Sequence, residues 1–155
     1  MQRLTQFIDR GLNATLILCM ATLAVNVIWQ VASRYLFNDP SSVTEEIAQF
    51  LLLWIGLLGG CYAYRQKSHL GLDLVTAKFP ASAQHTAESL VALVTVLFAA
   101  LVMVYGGGRL VWLTLQFKQT SPALGIPMGY VYSVLPLSGI LIIYYAFALR
   151  RDKRR

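Results

Sequence analysis

The sequence predicts an all-α integral membrane protein with four transmembrane helices, both termini in the cytoplasm (N-in/C-in), and a cytoplasmic interfacial segment between spans 2 and 3. Three observations carry this prediction. Of the 155 residues, 57% are hydrophobic and 13% charged, whereas a soluble domain carries about 25% charged residues. The apolar residues fall in runs near the roughly 20 residues a helix needs to cross a hydrocarbon core of about 30 Å. The cations gather at the ends of those runs on one side, as topology requires. The whole of 1–155 reads as one membrane domain. Its net charge of +6 lies between and after the runs, not in a stripe crossed by aromatics, so a nucleic-acid partner is not expected.

The first span is predicted at about 12–32. It is too long for a signal-peptide core, and Asn26, Gln30 and Arg34 stand where cleavage would fall, so it reads as a retained signal anchor. The second, about 47–64, has Glu45 and Glu46 before it and Arg65 and Lys67 after it, an order that complements the helix dipole. The third covers about 88–108 with an extension to about 117. There Gly106, Gly107 and Gly108 are expected to break the helix into a span and an interfacial piece carrying Arg109, Trp112 and Lys118. The fourth, about 128–149, contains Pro136, which neighbouring helices accommodate in a bundle. Between spans 2 and 3, residues 70–79 mix Leu70, Leu72, Leu74, Val75 and Phe79 with Asp73, Thr76 and Lys78, a pattern suited to the membrane surface. The stretch 120–129 holds Pro122, Gly125, Pro127 and Gly129 and reads as an ordered turn.

Orientation follows from the cations. Arg3, Arg10, Arg65, Lys67, Lys78, Arg150, Arg151, Lys153, Arg154 and Arg155 fall on one side, against Arg34, Arg109 and Lys118 on the other. Of these, Arg65, Lys67, Lys78 and the Arg150–Arg155 group are expected to meet lipid headgroups.

Little here can do chemistry. Cys19 and Cys61 lie inside apolar runs and read as packing residues; His69 and His85 fall outside the spans, where a haem ligand would not sit. No nucleophile, base and orienting group share a depth, and no acid or Lys lies well inside a run, so neither catalysis, a metal site nor a proton relay is expected. One polar constellation remains. Asn26, Gln30 and Arg34 share a face of span 1 at four-residue steps, and Glu45, Glu46 and Gln49 open span 2 at the same depth. Pairing Arg34 with Glu46 keeps both charges out of lipid, so the six residues read as a structural polar clamp; the alternative is a stripe facing a permeation path. Gly56, Gly59 and Gly60 permit close backbone approach and read as helix packing, either within this bundle or against another protein; the Gly106–Gly108 triplet has the same two readings and a hinge besides.

The order Arg34-Tyr35-Leu36-Phe37-Asn38, Pro40, Glu45-Glu46, Trp54, Gly59-Gly60, His69 and Asp73 resembles the small membrane subunit of tripartite ATP-independent periplasmic (TRAP) transporters, the DctQ-like or Q subunit. The later Ser121-Pro122-Ala123-Leu124-Gly125-Ile126-Pro127-Met128-Gly129 segment and Pro136 resemble it too; Thr44 departs, standing where the family often has Trp.

The resemblance implies a noncatalytic scaffold in the bacterial inner membrane that packs along a large membrane subunit of an elevator-type carrier. It implies no cofactor in this subunit, with the substrate and sodium sites in the large one. A soluble periplasmic binding protein would deliver a carboxylate such as a C4-dicarboxylate or sialic acid, or a related organic anion, by sodium symport. Asn38, Asp39, Arg109 and Lys118 are then periplasmic docking candidates. A self-contained homo-oligomeric carrier or channel is the alternative reading, and an anchor for an electron-transfer enzyme a weaker one.

Overall fold

The structure is a computed structural model that describes residues 2–36, 41–66 and 81–152. The predicted interfacial segment, Asn38, Asp39, Lys67, Lys78, Lys153, Arg154 and Arg155 lie outside the described residues. Helix α1 runs Gln2–Leu36 and α2 runs Ser42–Arg65. A third span is built from α3 (Ala81–Phe98), a π-helical segment (Ala99–Gly106) and α4 (Gly107–Gln116). A short α5 (Met128–Tyr132) leads into α6 (Val134–Asp152). Among the described residues, four stretches are long and apolar enough to cross a membrane: Thr5–Leu36, Ser42–Arg65, Ser89–Gln116 and Met128–Leu149.

The ends of these helices follow from local chemistry. Ser41 caps α2: its hydroxyl accepts from the Thr44 N–H at 3.5 Å, and Thr44 Oγ1 donates back to the Ser41 carbonyl at 2.9 Å. The break between α5 and α6 traces to Pro136, which has no N–H to offer the Tyr132 carbonyl four residues earlier. The chain instead tightens there, with Ser133 N–H donating to the Tyr130 carbonyl at 3.3 Å.

The helices stand in a row. α1 packs on α2, α2 on α6, and α6 on the π segment, so the order across the row is span 1, span 2, span 4, span 3. Spans 2 and 4 run parallel. Trp54 Nε1 donates to the Val131 carbonyl at 3.1 Å, and Cys61 Sγ donates to the Ser138 carbonyl at 3.3 Å. Both pairs are 77 residues apart, so the two helices keep one register over a seven-residue step, the repeat that brings a helix face back to its neighbour. Leu58, Cys61, Val134 and Tyr145 of these two spans form the core together with Leu12 of α1.

The glycine triplet does not break the third span. Gly106 (φ −62°, ψ −48°) and Gly107 (φ −62°, ψ −41°) are helical. A break inside hydrocarbon would leave backbone groups without partners, so the helix continues. Only Gly107 of the three packs tightly: a Cβ there would lie 2.9 Å from Leu135 Cβ and 3.1 Å from Pro136 Cδ, whereas Gly108 has nothing within 4 Å. The irregular stretch is the π segment just upstream, opposite Gly139, where a Cβ would come within 2.8 Å of Met103 Cβ and 3.1 Å of the Ala99 carbonyl oxygen. Gly129 is likewise covered by the Leu115 side chain. Gly129 and Gly139 are therefore the packing glycines that sequence reading missed, since an isolated Gly in an apolar run carries no mark of what faces it. A Cβ at Gly56, Gly59 or Gly60, by contrast, would meet nothing within 4 Å among the described residues.

Candidate functional site

The row is tied at both ends by polar contacts. At the end formed by the α1–α2 connection and the turn before α5, Asn26 Nδ2 donates to the Thr44 carbonyl at 2.7 Å. The Glu46 carboxylate is buried, and its Oε2 accepts from the Ala123 N–H at 3.2 Å and the Leu124 N–H at 2.8 Å. Thus α1 is tied to α2, and α2 to the turn.

The expected Arg34–Glu46 pair is not formed among the described residues. Arg34 is exposed, and Glu46 is satisfied by backbone N–H groups instead. The physical reason is reach: an arginine near a helix end carries its charge out to the interface, whereas a buried carboxylate needs donors on the spot. Gln30 is half-buried, and its carbonyl accepts from Ser33 Oγ at 3.0 Å. Glu45 and Gln49 are exposed, in line on α2 with Leu52, Gly56 and Gly60. The six predicted clamp residues thus separate into two whose side chains make ties, Asn26 and Glu46, the half-buried Gln30, and three that are exposed, Arg34, Glu45 and Gln49. Arg34→Ala should leave the melting temperature in detergent within the range of a surface change, a cost under about 0.5 kcal/mol. A loss as large as that of a buried polar residue would restore the pair.

The turn is self-locked. Ser121 is buried; its N–H donates to the Ile126 carbonyl at 2.9 Å, and its Oγ accepts from the Ile126 N–H at 3.3 Å. Gly125 adopts φ +67°, a left-handed conformation that glycine takes without a Cβ penalty. Arg109 and Lys118 are both exposed on the approach to this turn.

At the opposite end, Asp9 joins three helices. Its Oδ1 accepts from Tyr145 OH at 2.8 Å, and its Oδ2 lies 3.4 Å from Arg65 Nε. The Thr5 and Tyr144 hydroxyls meet alongside at 3.0 Å. Arg65, expected at lipid headgroups, is instead turned toward Asp9. Sequence reading passed over Asp9, though a signal existed: the α1–α2 hairpin puts the residue just before span 1 level with the residue just after span 2. Arg150 and Arg151 continue α6.

Among the described residues, no three His, Cys, Asp or Glu come together to hold a metal ion. Much of the surface is large and apolar: Leu18, Val25 and Ile28 on α1 and Leu93, Leu97 and Leu101 on the third span are more than half exposed. Such a surface is stable only against lipid or another membrane protein.

Comparison with known proteins agrees with this architecture. The family described as "Tripartite ATP-independent periplasmic transporters, DctQ component" matches residues 23–153. The chain is 27% identical over 142 residues to a Haemophilus influenzae protein that carries the name TRAP transporter small permease protein, covering 92% of this chain and 86% of that one. It is 28% identical over 130 residues to the sialic acid TRAP transporter small permease protein SiaQ of Vibrio cholerae, covering 81% of this chain and 70% of SiaQ. It also matches 118 residues at 28% identity within the isethionate TRAP transporter permease protein DctMQ of Oleidesulfovibrio alaskensis, covering 75% of this chain but only 18% of that longer protein. A self-tied row of four membrane helices, with a broad apolar surface and a family match along most of its length, places the chain in the DctQ family of TRAP small permease subunits: a multi-pass membrane subunit that works beside a large one, and not an enzyme.

Proposed function

We propose that this chain is the noncatalytic scaffold of a sodium-coupled TRAP importer in a bacterial inner membrane, holding the fixed part of the large subunit in the bilayer. The observation that carries this reading is the disposition of polarity. The ties made by carboxylate and amide side chains join the chain to itself at its two ends, the Trp54 and Cys61 contacts between them are turned inward along the seam, and the length between presents apolar side chains outward. A pathway for an anion would need polar groups across the bilayer. The transported molecule and the sodium ions then belong to the large subunit. The relatives named for sialic acid and for isethionate support a carboxylate or related organic anion as the substrate. The match within a longer permease supports a tight and permanent partnership.

The excess of cations on the side of both termini supports N-in/C-in. On that orientation the Glu46 end is periplasmic, and the turn with Lys118 and Arg109 forms part of the face that receives the soluble binding protein. Cations at the other end meet anionic headgroups.

Affinity purification of the tagged chain from its native membrane in mild detergent tests the assignment. A stoichiometric partner with many more spans is expected; recovery only as a monomer or homo-oligomer that transports by itself would replace this reading with the self-contained carrier.

The exposed Gly56 and Gly60 supply a sharper test of the contact. Four residues apart on one face, with nothing within 4 Å of an added Cβ among the described residues, they admit a close-packed helix of the large subunit. Gly60→Leu should leave the isolated chain's melting unchanged and reduce recovery of the partner by about tenfold, the equivalent of about 1.4 kcal/mol. Undiminished stoichiometric recovery would place the interface elsewhere.

A further inference from the structure

We propose that Glu46 is a positioning residue for docking: by holding the Ala123 and Leu124 amides it sets the shape of the turn over 121–127, and through that shape the strength with which the assembled transporter engages its soluble binding protein. The inference rests on the periplasmic docking role proposed for this face.

It begins with an accounting of the backbone. Every N–H from Ser121 to Met128 has an assigned fate. Those of Ser121 and Gly125 bond within the turn, to the carbonyls of Ile126 (2.9 Å) and Ser121 (3.0 Å). The Ile126 N–H reaches the Ser121 hydroxyl at 3.3 Å, and the Met128 N–H reaches the Gln119 carbonyl at 2.8 Å. Pro122 and Pro127 have none. The two that remain, on Ala123 and Leu124, converge on one oxygen of Glu46 at 3.2 and 2.8 Å. The turn thus closes its own ring but leaves two adjacent donors pointing inward, and a carboxylate from another helix fills that position. Bonds to a charged acceptor are about twice as strong as neutral ones, and a buried donor left without a partner is costly.

Glu46 cannot act by contact, since it is 9% exposed. What it shapes is exposed: Pro122, Ile126 and Pro127 project from the turn, with Lys118 beside them. The residue sits 77 positions before Ala123, the same offset as Trp54 to Val131 and Cys61 to Ser138. The tie therefore lies beyond the end of the parallel seam between spans 2 and 4, joining the start of α2 to the turn that precedes span 4. It fixes the turn to the rigid row and not merely to itself.

The test uses the purified complex of this chain with its large subunit in liposomes, with uptake measured as the binding protein is titrated. Glu46→Ala should raise the half-saturating concentration of binding protein by about fivefold or more, with the maximal rate changed by less than about twofold and assembly stoichiometry retained; Glu46→Gln, which keeps one oxygen acceptor, should raise it less. Should Glu46→Ala fail to assemble, the Glu46→Gln titration decides. Hydrogen–deuterium exchange over 121–126 in the same complexes reads the tie directly and should quicken in Glu46→Ala; exchange unchanged from the native complex would overturn the tie. Ile126→Arg alters the exposed side chain without touching any of these bonds. If it weakens engagement while Glu46→Ala leaves the half-saturation unmoved, the positioning role is overturned. If neither variant moves it although exchange has quickened, the docking role of this face falls, and the proposal with it.

Discussion

Gly139→Leu should be the most damaging single substitution in the hydrophobic seam, lowering the stability of the detergent-purified chain by about 3 kcal/mol, the upper part of the range for overpacking. A Cβ at this position would lie 2.8 Å from Met103 Cβ, 2.9 Å from Val104 Cγ2 and 3.1 Å from the Ala99 carbonyl oxygen. Two of these atoms, a Cβ and a backbone oxygen, cannot swing aside as the tip of a long side chain can. The third span would have to move away from α6 at the π segment, its main contact with the row, leaving the Leu115 side chain over Gly129 to hold it at the turn end. The π segment lies at this contact, so its wider turns should be lost or shifted as well. The matched comparison is Gly56→Leu, which adds the same volume where nothing lies within 4 Å and should leave melting of the isolated chain unchanged. Equal melting temperatures for the two variants would contradict the packing described for spans 3 and 4.

Asp9→Ala should cost about 2 kcal/mol, because it orphans two groups together. The buried Tyr145 hydroxyl loses its acceptor at 2.8 Å, and Arg65 loses its anion at 3.4 Å. The Arg65 side chain keeps 34% of its surface exposed, so its share is small, as for ion pairs open to solvent. Most of the loss should come from the tyrosine. Tyr145→Phe removes only the donor and should cost about 1 kcal/mol, and Asp9→Asn, which still offers an oxygen to Tyr145, should fall between wild type and alanine. Melting of the three variants checks the order. Asp9→Ala indistinguishable from wild type would remove this cluster as a tie between α1, α2 and α6.

The helices themselves were legible in the sequence, because hydrocarbon leaves the backbone few choices and apolar runs of the right length become spans. The turn over 120–129 was legible for the same kind of reason: its Pro and Gly spacing forbids a helix. The arrangement of the spans was not. A helix that is apolar all round does not mark which side meets a neighbour, so the row order and the parallel register of spans 2 and 4 had no signal. Glycine was legible only in part. Among the described residues nothing lies within 4 Å of a Cβ placed at Gly56, Gly59 or Gly60, which leaves them for a partner, whereas the isolated Gly129 and Gly139 are where helices of this chain touch. Glu46 was rightly expected to need a partner, but the choice of Arg34 followed opposite charge. Its true partners are two backbone N–H groups, which every loop possesses and no sequence advertises. Asp9 with Arg65 was within reach, since both flank the ends of one hairpin and differ in sign.

The scaffold assignment is tested most directly by uptake in liposomes reconstituted from the large subunit and the soluble binding protein, with and without this chain. Sodium-dependent uptake of an organic anion that requires all three components, together with no flux from this chain alone, is the predicted result. Full uptake without this chain, or anion flux through liposomes that contain only this chain, would contradict it.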